Sequence, residues 1–401
     1  MTSATAGYVD LAGSGAARCC TGVRLEPDPS LVHNAAALGL PEEQRRAQVV
    51  ERERAWLAAR WAVDGRCWEL RYATPRAAGR TGSGGGLSCV LLAGAQGPDP
   101  AAARTAARRL RADLDTLPRH VRTADLPGPE LAHALRPFRD GTAHLVEIRK
   151  RLRWEPIRRS DAAFPLGVTV EPLTTEAVDW APVWAELART PAALVLAVRL
   201  EPLPWRPADH HLVDRLLREY HTLARPGRFN PAIGRQEPAL PFAAHAAARY
   251  EALLADAAVA PAHRMRVTLA SDEPVPPQLA ELVAAVVSVP GPARAVVCPV
   301  LAPQERQLAW RAFATLHGAG LPGVQQQDVP APLGPFEQAL AERVPPAEAT
   351  SVFRLPYEVP GHPPLFAPTP SPAPRATSAP AAHSGPGLPP PPPGFTDGRT
   401  P

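Results

Sequence analysis

LSCVLLAG (Leu87–Gly94) runs through Asp99-Pro100 into AAARTAARRLRADLDTL (Ala101–Leu117). An unbroken apolar run of strand length is followed by a turn and then by an Ala- and Arg-rich stretch that only a helix accommodates. The same order recurs downstream. RMRVTLA (Arg264–Ala270) passes Glu273-Pro274 into PPQLAELVAAVVSV (Pro276–Val289). Strand-then-helix repeats of this kind predict a layered α/β or α+β fold, with ferredoxin-like strand–helix units.

Working outward, Pro41 opens a helix whose first turn holds Glu42 and Glu43, favourable at the positive end of the helix dipole. Val49, Val50, Trp56, Leu57 and Trp61 supply its apolar face. Cys67–Thr74 and Leu87–Gly94 read as a hairpin joined by a long Gly- and Arg-rich connection. His144–Trp154 reads as one strand, Leu166–Glu171 as another, and Ala193–Glu201 as a buried one. Helices are predicted over Pro182–Arg189, Asp209–Ala224, Phe242–Ala257, Pro276–Val289 and Pro303–His317. Hairpins and crossovers alternate, which argues for a mixed sheet with flanking helices. The boundaries follow: a flexible N-terminus over 1–30, a helix plus a first α/β unit over 31–160, and a second α/β unit over 161–355. A disordered Pro-rich tail follows over 356–401, because it has too little periodic apolar surface to offset ordering.

Composition narrows function by exclusion. The chain has 401 residues, 45% hydrophobic and 20% charged, enough to bury a substantial core. A formal charge of +4 does not demand a nucleic-acid partner. Lys150 is the only lysine, and the joint excess of Arg, Ala and Pro reads as GC-rich codon usage. The five cysteines form no CxxC pair, so neither a zinc ribbon nor a disulfide scaffold is expected. No signal peptide and no bilayer-spanning run is found, which predicts a cytoplasmic protein with reduced thiols and no membrane insertion.

The motifs carrying chemistry are few. Gly82–Gly86 precedes a strand and has no following Lys-Ser/Thr, so it is a hairpin connection and not a phosphate loop. No Gly-x-Ser-x-Gly elbow exists. Two clusters remain. Arg149, Lys150, Arg151, Arg153, Arg158 and Arg159 form the densest basic run, and on a single strand Arg149, Arg151 and Arg153 line one face that could meet phosphates. The bland reading is a solvated face in an arginine-rich chain. Asp209, His210, His211 and Asp214 form the densest polar cluster, with His210 and Asp214 one helical turn apart. A metal there needs a further ligand group that the sequence does not supply, and the bland reading is a solvated helix start. No catalytic, cofactor or metal residue is assigned. Trp180 and Trp184 are read as packing residues.

Several phrases resemble the N-terminal, non-motor region of actinobacterial HerA/VirB4-like ATP-binding proteins. They are LAGAQGPDP (92–100), EIRKRL (147–152), VDWAPVW (178–184) with the strand to LEP (200–202), MRVTLA (265–270) and EATSVFRLP (348–356). In that family the last phrase leads into a P-loop motor domain. Here it leads into a Pro-rich tail with no Walker A or Walker B motif, so the resemblance carries over no ATP hydrolysis. It implies an accessory or docking module without cofactor, partnered by a separately encoded P-loop ATPase in DNA or protein translocation. The alternatives are a nucleic-acid adaptor using the basic row and an enzyme of unrecognised type.

Overall fold

A computed structural model describes residues 4–5, 7–11, 16–28, 39–77, 86–139, 141–232, 234–259, 262–291, 294–316, 335–358 and 363–367. In chain order the elements begin with strands β1 (Ala4–Thr5), β2 (Tyr8–Leu11) and β3 (Ala17–Pro27), helix α1 (Glu42–Ala58), and strands β4 (Cys67–Ala73) and β5 (Ser88–Gly97). Then come α2 (Pro100–Leu114), β6 (Val121–Asp125), α3 (Gly128–Leu135), β7 (His144–Arg149), β8 (Leu152–Pro156), β9 (Leu166–Val170), α4 (Ala181–Arg189) and β10 (Leu194–Leu203). The remainder are α5 (Pro207–Leu223), β11 (Phe229–Asn230), β12 (Arg235–Gln236), α6 (Pro241–Val259), β13 (Ala262–Ser271), α7 (Pro277–Val286), β14 (Val296–Pro299), α8 (Pro303–Ala314), α9 (Pro335–Glu342), β15 (Arg343–Val344) and α10 (Pro346–Val352).

The main sheet has the order β1-β2-β3-β5-β4-β10-β13-β7-β14, with β6 beside β3 and β15 beside β13. Every strand pairing in it is antiparallel, so the expected mixed sheet is an antiparallel one. The ferredoxin-like expectation emerges twice from this order. The run β3-α1-β4-β5-α2-β6 places its strands as β6-β3-β5-β4, and the run β7-α4-β10-β13-α7-β14 places its strands as β14-β7-β13-β10. Each is a β-α-β-β-α-β unit with the fourth and third strands flanking the first. The two units join edge to edge through β4 and β10, their equivalent strands, paired from Val195↔Ala73 to Leu200↔Trp68. The two halves therefore share one sheet, and β7, inside the expected first unit 31–160, belongs to the second repeat. The first unit draws its leading strand from within residues 1–30.

That last point corrects the expected loose N-terminus. β3 lies inside the sheet, paired with β5 from Ala17↔Gly97 to Leu25↔Cys89, and Cys19, Cys20, Val23 and Leu25 are buried. Its small residues hide the usual apolar alternation. Gly22 sits where an added Cβ would lie 2.9 Å from the Leu92 side chain and 3.1 Å from a backbone oxygen.

Strand alternation divides the core. On one face Leu70, Leu91, Leu196, Val198, Val267 and Leu269 pack under the four crossover helices α1, α2, α4 and α7. Trp180 and Trp184 are wholly buried here, as expected for packing residues. On the other face α3 covers Val90 and Leu92, and α8 covers Val195 and Ala197. Arg71 fixes both of these helices. Its Nη1 donates to the carbonyls of Ala134 and Leu135, the latter at 3.1 Å, and its Nη2 to that of Phe313 at 2.6 Å, while Glu69 balances its charge at 2.6 Å. One buried guanidinium thus satisfies carbonyls at the C-terminal ends of two helices.

Two insertions enlarge the second half. The ribbon β8–β9 and the antiparallel pair α5–α6 pack together around Tyr220, Phe242 and Tyr250. Part of the expected disordered tail, 356–358 and 363–367, packs on the core. Tyr357 packs on Trp184, and Leu365–Ala367 lies beside Leu87, with Leu87 N–H donating to Leu365 O at 2.8 Å and Ala367 N–H to Leu87 O at 2.9 Å. Residues 368–401 and Gly82–Gly85 lie outside the described residues. Among the described residues no helix is long and apolar enough to cross a membrane.

Candidate functional sites

The basic row is not a row. The expected strand His144–Trp154 breaks at Lys150-Arg151: β7 stays in the main sheet, while β8 leaves it to pair with β9. The break separates the arginines, and most of them have internal work. Arg149 reaches Glu342 at 3.0 Å and Glu147 at 3.2 Å. Arg151 donates to the Arg294 carbonyl at 2.8 Å. Arg153 faces Glu171 at 3.5 Å. Arg159 is buried, holding Asp161 at 2.6 Å and the Leu223 carbonyl at 3.0 Å. Arg158 is exposed. Carboxylates and carbonyls, rather than solvent, receive most of these charges, so the sequence pattern of a phosphate-binding face does not survive folding.

The polar cluster disperses too. Asp209 lies in the first turn of α5, accepting from the Arg206 backbone N–H at 3.3 Å and lying 3.7 Å from Arg343. His210 rests against the Trp205 ring at 5.0 Å. His211 is exposed, and exposed Asp214 pairs with Arg218 at 3.0 Å. No group of three or more His, Cys, Asp or Glu side chains able to hold a metal occurs among the described residues.

What sequence reasoning missed is a cavity of about 80 Å³ where β9, α6 and the α9–α10 connection meet. Lys150, the chain's one lysine, lines it together with Arg249, Asp256, Arg343 and Glu348. Lys150 Nζ lies 2.6 Å from Glu348 Oε2 and donates to the Arg343 carbonyl at 2.8 Å. Burial raises the Glu348 carboxyl above its ordinary pKa, with the Lys150 charge opposing, and Asp256 shifts the same way for the same reasons. Burial also drops Arg343 to about 10, against the Asp209 charge. The cavity has room for a few waters or a small polar molecule, but the lysine is already committed to two acceptors. A lone lysine in the sequence was the only available signal, and nothing local paired it with Glu348, 198 positions away.

A second buried network joins the halves of the chain. Glu53 of α1 faces Arg354 Nε at 2.9 Å, accepts from Leu355 N–H at 3.0 Å and meets His120 Nε2 at 3.1 Å. The Tyr72 hydroxyl donates to the Arg354 carbonyl. These contacts clamp the segment after α10 onto the helix face of the sheet.

No family model matches this sequence, and no curated protein matches it.

Proposed function

We propose that this protein is a non-catalytic accessory module that works through protein contacts beside a P-loop ATPase of the HerA/FtsK type, in DNA or protein translocation. The observation that carries the reading is the fate of EATSVFRLP. In the family that the phrases resemble, it is the lead-in to a motor. Here every residue from Glu348 to Pro356 is buried, and the phrase is clamped through Arg354 and Glu53. That packing supports reading the phrase as part of the module's own core. The dispersal of the basic row removes the feature that favoured a nucleic-acid adaptor. The Lys150 cavity is the feature on which an enzymatic reading would rest; there Lys150 is engaged by Glu348 and the Arg343 carbonyl, while Arg249 and Arg343 pair with Glu171 and Asp209.

The test is affinity capture from the native host with two baits, the full chain and a chain ending at Pro368, with bound proteins identified by mass spectrometry. A P-loop ATPase recovered with both, whose turnover changes when purified bait is added, is the expected result. Recovery of no ATPase by either bait overturns the proposal.

A further inference from the structure

On the sheet face opposite the crossover helices, Arg18 of β3 and Arg199 of β10 approach a single cleft across the joint between the two halves. Its other walls include Gly94, Gln96, Glu201 and Thr315. Arg199 is 5% exposed. Its Nε has no hydrogen-bond partner among the described residues, and its one ion pair, to Glu201, is 3.6 Å long. Glu201 is shared, lying 3.7 Å from Arg264 as well. Glu69, directly across from Arg199 in the sheet, is committed to Arg71. Arg266, opposite on the other side, is committed to Glu147. Arg18 rests on the Gln96 amide, whose oxygen, in the orientation that satisfies both groups, accepts from Nη2 at 2.7 Å and Nε at 2.9 Å. That is a neutral partner. Burial and the facing Arg199 charge pull Arg18 below the usual guanidinium pKa. Two guanidinium groups thus confront each other with one shared, distant carboxylate between them. Leaving a buried ionic group without hydrogen bonds is costly; Glu201 Oε2 also lacks a hydrogen-bond partner among the described residues, but one carboxylate shared with Arg264 does not balance two guanidiniums.

We propose that the Arg18–Arg199 cleft is a binding site for a small oxyanion, a phosphate or carboxylate group held between the two guanidiniums. The donor type fits, since a guanidinium presents a planar fork of N–H groups matched to such oxygens. The size fits one end of the ligand. The cleft has a volume of about 10 Å³, room for one water-sized group, so it admits a single oxygen of the anion. Because Arg18 and Arg199 come from different halves, occupancy ties the two units together across β5 and β4.

The experiment is thermal unfolding of the full chain, with inorganic phosphate, acetate or chloride raised to about 50 mM at constant ionic strength. A rise in Tm of about 1–3 °C with phosphate or acetate, growing with the logarithm of anion concentration, and none with chloride, is expected for a millimolar site. Comparison of phosphate with acetate assigns the preferred oxyanion. Arg199→Met should abolish the rise while melting no lower than the wild type in anion-free buffer, because it removes an uncompensated buried charge. Arg18→Met, at a less buried position, should weaken the response several-fold and serves as the second variant if Arg199→Met does not fold. A wild-type Tm that rises no more with phosphate or acetate than with chloride overturns the proposal. So does a rise that persists undiminished in either variant.

Discussion

Phe366 meets Trp184 edge to face, with ring centroids 5.2 Å apart and planes at 73°, and it reaches Tyr72 at 6.3 Å. A residue inside the expected disordered tail therefore completes an aromatic cluster in the core. Around it Leu87 gives and receives one backbone hydrogen bond with the same segment. Gly86 makes room for it, since an added Cβ there would lie 2.6 Å from the Ala367 nitrogen.

Truncation should therefore have two different outcomes. A chain ending at Pro368 keeps Phe366 and should melt with the full chain. A chain ending at Pro360 loses it and should be destabilised by about 3–5 kcal/mol, the range for deleting a buried Phe side chain. Urea denaturation of both, with Phe366→Ala as a point control, measures the difference. Equal midpoints would show that the segment contributes nothing to stability.

Lys150 and Glu348 should behave as a buried pair. Removing either charge alone, as in Lys150→Met or Glu348→Gln, leaves the other uncompensated and should cost about 3–5 kcal/mol. The double variant Lys150→Met with Glu348→Gln should recover most of that loss. Additive losses in the double-mutant cycle would mean that the two side chains act independently.

Acid sensitivity should have one identifiable source in His263. Burial lowers its pKa from 6.5 to about 4. Between those values the unfolded chain binds a proton that the folded chain does not, so stability rises with pH through this window. It is lost as pH falls from about 6.5 to 4, by up to about 3 kcal/mol. Comparing urea midpoints at pH 7 and pH 4.5 for the wild type and His263→Leu tests this. The variant should have the shallower dependence, and parallel pH profiles would exclude His263 as the source.

The arginines once expected to face phosphates should matter for folding instead. Replacing Arg149, Arg151 and Arg153 with Ala removes partners from Glu342, Glu147, Glu171 and the Arg294 carbonyl. A loss of about 1–3 kcal/mol is expected. Binding of duplex DNA at physiological salt should be unchanged. Tight binding at that salt, abolished in the triple variant, would restore the adaptor reading.

Asp99 should show the value of a local signal. Its side chain accepts from Ala102 N–H at 2.8 Å at the start of α2. Asp99→Ala should cost about 1 kcal/mol, readable as a shift in the urea midpoint without a change in m-value. A neutral substitution would mean that Pro100 and the helix packing suffice.

What the sequence by itself determined were the elements whose signals are local. LSCVLLAG became β5, Asp99-Pro100 became a capped helix start, and RMRVTLA and PPQLAELVAAVVSV became β13 and α7. Apolar runs, caps and helix formers act within a few residues, so their reading does not depend on distant chain. The tertiary structure alone decided the partners. It placed ARCCTGVRLEP inside the sheet, where Gly22 lets Leu92 approach and Cys19 and Cys20 are buried on opposite faces. It split the expected strand at Lys150 and gave that lysine to Glu348. It brought Arg18 to Arg199 by pairing the two halves through β4 and β10. A charge in sequence has a sign and a helical or strand phase. Whether it is neutralised by a carboxylate, absorbed by a carbonyl or left facing another charge depends on non-local contacts, and these form only when the whole sheet closes.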